Sequence, residues 1–162
     1  MFVMNLEGNH RACHKLKNLK SLTPEQFEEC IYKRKVCVER ISQRWRSLDI
    51  SALICPVYPS CAFKNKNAPD LTLFMEYVAY WNITHFPTGS VPVTEVTAEE
   101  AKVEYDDDFK DKWTRKMKED VKGSEGMPIG VQVVSWPFED EVALGVMKVI
   151  DEEVGYKKEF NE

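Results

Sequence analysis

Gly126-Met127-Pro128-Ile129-Gly130-Val131-Gln132-Val133-Val134 has one sensible placement, as a strand inside a sheet. Met127-Pro128 forces an extended entry, because the proline ring fixes its own φ and keeps the preceding residue out of the helical region. Val131, Val133 and Val134 are β-branched and favour a pleated surface. Gly130 carries no Cβ, so a neighbouring backbone or a ligand can come close. Gln132 interrupts the apolar run with a carboxamide that needs hydrogen-bond partners wherever it is buried. Beyond Ser135-Trp136-Pro137, the residues Val142, Ala143, Val146, Met147, Val149, Ile150 and Val154 recur at helical spacing, with Asp140, Glu141, Lys148, Asp151 and Glu152 between them. The pattern predicts an amphipathic helix lying on the strand before it.

Upstream, Thr23-Pro24-Glu25-Gln26 is a helix start, with Thr23 as N-cap, Pro24 in the first helical position and Gln26 placed to bond back to the cap. Phe27, Cys30, Ile31, Val38, Ile41, Trp45 and Leu48 form the apolar face of the long helix that follows. Its basic residues, Lys33 to Arg46, read as a solvated face, with an acidic surface or lipid headgroups as the other use of such a run. Asp49 ends the helix, and Ala52-Leu53-Ile54-Cys55 reads as a short buried strand stopped by Pro56. A prolyl loop occupies 56–69. Asp70 is placed to cap a helix with Leu71, Phe74, Met75, Val78 and Trp81 on its apolar side, and a turn over 82–92 leads into the strand candidate Val91-Pro92-Val93. Thr97 to Glu100 offers another cap. Asp106-Asp107-Asp108 suits the N-terminus of a helix through Phe109, Trp113 and Met117, where the macrodipole favours each negative charge by about 0.3–1 kcal/mol. Residues 1–22 read as a loose lead-in and 155–162 as a charged tail.

With 162 residues, 43% of them apolar, the chain can bury a real core, and disorder is not its default. A net charge of −5 gives no pull toward nucleic acid, and no nucleic-acid role is expected. Five cysteines, an odd number without scaffold spacing, fit a reducing intracellular compartment. No apolar run approaches the roughly 20 residues that span a bilayer, so membrane association is expected only through surface contact or segments outside this chain. His10, Cys13 and His14 cluster without a downstream partner pair, and neither a metal site nor a cofactor is expected. His85, among Trp81, Phe86 and Pro87, reads as a hydrogen-bonded core residue rather than a base. Asn82-Ile83-Thr84 reads as an accidental glycosylation match.

The order of elements, helix and strand alternating to a final helix, predicts α/β layers. Three strands are too few for these helices and leave sheet edges open. Five uncovered apolar side chains at about 1.5–3 kcal/mol each would match the whole net stability of a domain, about 5–15 kcal/mol. The expectation is therefore an incomplete domain that closes against further protein.

Three blocks resemble one family. Trp45-Arg-Ser-Leu-Asp-Ile-Ser-Ala-Leu-Ile-Cys-Pro56, Tyr80-Trp-Asn-Ile-Thr-His-Phe-Pro-Thr-Gly-Ser-Val-Pro-Val-Thr94 and Gly126-Met-Pro-Ile-Gly-Val-Gln132 with Trp136-Pro137 look like the C-terminal part of the amidase-signature hydrolases. Val91 to Glu99 is similar to the fatty acid amide hydrolase branch. The resemblance covers most of residues 23–154. It implies an α/β fold with a mixed twisted sheet covered by helices, and a serine hydrolase that cleaves the carboxamide bond of lipid amides through a Ser-Ser-Lys set.

No residue here matches that catalytic set: Ser124 has glycines on either side but none of the remaining pattern. The resemblance does place Thr72, Met75, Ala79 and Trp113 at positions of an acyl-binding channel, one polar group with apolar and aromatic walls. Without the resemblance, Met75, Ala79 and Trp113 are ordinary core residues at helical spacing. The implied partners are the upstream half of the amidase domain and a lipid amide bound by the full-length protein, and a homodimer stays open. The alternatives are a non-catalytic remnant that binds a lipid or protein partner, and an amidase of short-chain amides.

Overall fold

The computed structural model describes residues 21–71, 74–104 and 111–157. The opening stretch becomes β3 (Pro128–Ser135), the middle strand of a three-stranded sheet between β1 (Ala52–Pro56) and β2 (Thr88–Glu95). Both pairings are antiparallel, with Cys55 opposite Gln132 on one side and Val91 opposite Val131 on the other. Flanked on both sides, β3 has the most deeply buried residues of the sheet: Val133, Val134 and Ser135 are fully inaccessible.

Gly130 allows this close approach. A Cβ there would stand 2.9 Å from the Val91 carbonyl oxygen, inside any tolerable contact. Pro92 has no N–H to give to a ladder, and it is accommodated because β2 lies at the edge of the sheet among the described residues. The ladder is irregular between Pro92 and Thr94. Sequence places a strand at Val91–Val93, and the structure extends it into the expected turn, because Thr88, Gly89 and Ser90 pair with Val134, Val133 and Gln132.

The predicted final helix is α5 (Asp140–Val154), which packs across β2 and β3 and buries Ala143. Gly89 gives it room, since a Cβ at that position would collide with the Met147 side chain.

The chain divides between Gln43 and Arg44 into two compact units. The described part of the first, residues 21–43, holds most of α1 (Pro24–Leu48). Its start is the expected capping box: Thr23 N–H donates to Gln26 Oε1 at 3.1 Å, and Gln26 N–H donates to Thr23 Oγ1 at 3.3 Å. Of the predicted apolar face, Val38 and Ile41 are half-buried while Phe27, Cys30 and Ile31 are exposed.

The second unit opens with the last turn of α1. There Trp45 is buried in an aromatic cluster, its ring 5.6 Å from Phe86 and 6.3 Å from Trp136. The helix expected to start at Asp70 is divided into a short α2 (Ala68–Leu71) and α3 (Glu76–Thr84). Asp70 is not an N-cap. It lies inside α2, and its carboxylate is taken by Lys112 and Lys116.

Those lysines belong to α4 (Lys112–Val121), capped by Asp111, whose Oδ1 accepts from the N–H groups of Trp113 (2.9 Å) and Thr114 (2.8 Å). Asp106, Asp107, Asp108 and Phe109 lie outside the described residues. The cap predicted at Thr97 is present: Thr97 N–H donates to Glu100 Oε2 at 2.9 Å and Glu100 N–H to Thr97 Oγ1 at 3.1 Å, ahead of a 3₁₀ turn at Glu100–Lys102. No described helix is long and apolar enough to cross a membrane.

Candidate functional site

The positions assigned to an acyl channel fall on two helices. Met75 stands at the N-cap of α3 and is 49% exposed, outside any core. Ala79 follows one turn later, half-buried, its N–H donated to the Met75 carbonyl at 2.8 Å, so these two share one face of α3. Trp113 is buried in the first turn of α4, whose neighbours are α2 and the 3₁₀ turn at Glu100–Lys102. Thr72 lies outside the described residues.

Charge pins α4 in place. Lys112 Nζ reaches Asp70 Oδ1 at 3.1 Å and Lys116 takes the other oxygen. Burial pushes the Asp70 carboxyl up, but the hydrogen bonds and positive charges of Lys116 and Lys112 outweigh it and hold the group below the ordinary carboxylate range. At the far end of α4, Asp120 is buried and its Oδ1 accepts from Asn67 Nδ2 (2.8 Å) and Lys64 N–H (3.2 Å), while Lys64 Nζ donates to the Glu119 and Lys122 carbonyls. The loop before α2 is thereby fastened to the helix that carries Trp113. No local pattern encodes these contacts, whose partners are more than forty positions apart.

The Ser124 hydroxyl donates to the Val121 carbonyl at 2.7 Å and the residue is buried, closing the end of α4. His85 is exposed rather than a core residue. It ends α3 in the left-handed conformation, with φ 61°. Among the described residues no group of three or more His, Cys, Asp or Glu side chains is arranged to hold a metal ion.

Gln132 is the buried polar residue that the valine run pointed to. Its Nε2 donates to the Pro56 carbonyl at 2.7 Å and to the Tyr77 carbonyl at 2.9 Å, tying β3 to the end of β1 and to α3. An apolar cavity of about 360 Å³, bordered by Cys61, Val96, Val121, Ser124 and Ile129, adjoins the small core in which Cys61, Val96 and Ala101 are buried.

Among the described residues, a three-stranded antiparallel sheet backed by helices places the fold in the α/β class. The amidase family profile matches residues 9–144, and the chain belongs to that family. It is 34% identical over 129 residues to the fatty-acid amide hydrolase 1 of Sus scrofa, covering 78% of this chain and 21% of that protein. It is 28% identical over 138 residues to the fatty acid amide hydrolase 1 of Caenorhabditis elegans, covering 82% of this chain and 24% of the relative. The fold is similar to a solved fatty acid amide hydrolase, with a TM-score of 0.65 at 20% identity over 85% of this chain and 24% of that one. The chain therefore spans between a fifth and a quarter of the length of the relatives it matches.

Proposed function

We propose that this chain is the C-terminal portion of a fatty acid amide hydrolase-like amidase, supplying sheet and one wall of an acyl channel but no catalytic residue. The observation that carries the reading is the 34% identity to a fatty-acid amide hydrolase over 78% of the chain. Met75 and Ala79 share a face of α3, and Met75 offers an exposed, flexible apolar side chain to whatever lies beside it. Such a wall selects for chain length, because each CH₂ it takes from water contributes about 0.8 kcal/mol. In this reading Thr72 supplies the polar contact of the wall and Trp113 its aromatic part, while the reactive serine and its lysine stand in the upstream half of the domain.

Two measurements test this. A serine-directed fluorophosphonate probe leaves the isolated chain unlabelled, and stoichiometric labelling of any serine defeats the reading. In a longer protein that contains this segment and hydrolyses amides, Ala79→Phe raises KM for long-chain amides and leaves short-chain amides unaffected. An equal effect on both substrate classes removes α3 from the channel.

A further inference from the structure

In the part of α1 that belongs to the first compact unit, Phe27, Ile31, Arg34, Val38 and Ile41 follow one another in alternating steps of four and three residues. That is the a/d seam of a helix that pairs with another helix. Val38 and Ile41 are half-buried, but Phe27 is 58% and Ile31 46% exposed, so the N-terminal part of the seam lies open to solvent.

Charge is divided along the same stretch. Residues 24–32 include Glu25, Glu28 and Glu29 and no Lys or Arg, whereas residues 33–41 include Lys33, Arg34, Lys35 and Arg40 against Glu39 alone. Glu29 and Lys33 pair with each other at 2.7 Å on the side of the helix away from the seam. Glu28 and Lys35 flank the seam at e positions, and both are exposed.

An acidic first half and a basic second half also suit the dipole of the helix itself. The dipole does not dictate where the boundary falls relative to the seam. When two such seams run antiparallel, each a residue sits opposite a d residue of the other helix, which allows a two-fold axis only at Glu29, between Tyr32 and Lys33, or at Val36. The first sets Glu28 against the partner's Glu28, and the last sets Lys35 against the partner's Lys35. The middle axis coincides with the charge boundary. It sets Glu28 against the partner's Lys35, twice by symmetry, and lays each acidic half along a basic one. Phe27 then meets the partner's Val38, and Arg34 meets the partner's Ile31, a single charged residue in an apolar seam being a device that fixes register.

We propose that this helix is a docking surface for a second copy of the chain, in which residues 24–41 pair antiparallel about an axis between Tyr32 and Lys33, with Glu28 and the partner's Lys35 as the selecting charges. Neither the acyl channel nor the amidase chemistry enters this assignment.

Two thiols report the register. Cys30 and Cys37 are free and stand at g positions beside the seam. The proposed axis brings Cys30 next to the partner's Cys37; an axis at Glu29 brings the two copies of Cys30 together, and one at Val36 the two copies of Cys37. Full-length Cys37→Ser and Cys30→Ser chains are mixed and treated with the short thiol crosslinker bismaleimidoethane, so that every Cys30-to-Cys37 link joins two chains. Peptide mass analysis is expected to find that link in excess of Cys30-to-Cys30 and Cys37-to-Cys37. In the same background Glu28→Lys raises the concentration for half-maximal initial linking rate about ten-fold, because two attractive pairs become repulsive. Adding Lys35→Glu restores it. The double variant has a poorer charge arrangement for the isolated helix, so its recovery cannot come from helix stability. An excess of either like-to-like link, no link of any kind, or a double variant no better than Glu28→Lys each overturns the proposal.

Discussion

Asp70 converts a local sequence feature into a tertiary clasp. Its carboxylate is 16% exposed and shared by two lysines of α4, so Asp70→Asn removes charge from both bonds at once. The folded group sits below its unfolded range, so its contribution is complete above the unfolded pKa, near 4, and is lost as pH falls through the folded value. Urea unfolding is therefore expected to show Asp70→Asn less stable by about 1–2 kcal/mol at pH 7, with the two proteins converging under acid conditions. A constant difference across that range would mean that the lysines do not stabilise the charged form. The capping reading of Asp70 failed for a physical reason. An aspartate ahead of an apolar run is a sound N-cap signal, but a pair of lysines forty-two and forty-six positions away competes for the same oxygens, and local sequence carries no trace of that competition.

Glycine separates two cases at the same scale. Gly130→Ala drives a Cβ into the Val91 carbonyl and is expected to cost about 1–3 kcal/mol, the usual penalty of overpacking. Gly145, inside α5 with no atom within 4 Å of where a Cβ would stand, is the converse: Gly145→Ala is expected to stabilise by about 0.5–1 kcal/mol. Thermal melts of the two variants therefore move in opposite directions, and a shared direction would displace β2 from the position described.

Among elements, β3 and α5 were legible because their own residues decide them. A β-branched run behind Met127-Pro128 leaves few conformations, and a 3.6-residue apolar repeat sets which side of the helix is buried. β2 was only half legible: Gly89 and Ser90 do not favour a strand by themselves and leave Thr88 isolated, and the stretch becomes strand by pairing with a strong neighbour. The aromatic cluster shows the same dependence. Phe86 follows the left-handed end of α3, and in sequence it belongs to a turn. In the fold it is 4% exposed, with its ring 5.6 Å from Trp45, 5.8 Å from Trp81 and 6.0 Å from Trp136. It holds the end of α1, the end of α3 and the approach to α5 together. Phe86→Ala is expected to cost about 3–5 kcal/mol in urea unfolding followed by tryptophan fluorescence. A loss below about 1 kcal/mol would make it an ordinary surface substitution.

At the scale of the whole molecule, β1 has a five-residue ladder with β3 on one side and no strand on the other among the described residues. It carries Ile54 at 53% exposure. Unpaired N–H and C=O groups beside an exposed β-branched side chain form a template for a further strand, and edges of this kind are ordinarily guarded by charge or cover. The open edge was foreseeable from the count of strands. Which strand would supply it was not, because the order β1-β3-β2 is set by pairings that no local pattern encodes. In the isolated chain the simplest occupant is β1 of a second copy, since an antiparallel pairing of identical edges is self-complementary about a two-fold axis. Sedimentation velocity over a concentration series is thus expected to show self-association, and Ile54→Lys to shift the chain toward monomer. Because Ile54 points away from the core, its replacement should alter unfolding stability by no more than about 0.5 kcal/mol. If the unsubstituted chain stays monomeric throughout the series, the edge is covered by its own polypeptide; if Ile54→Lys weakens folding as much as association, the side chain belongs to the core and not to an edge.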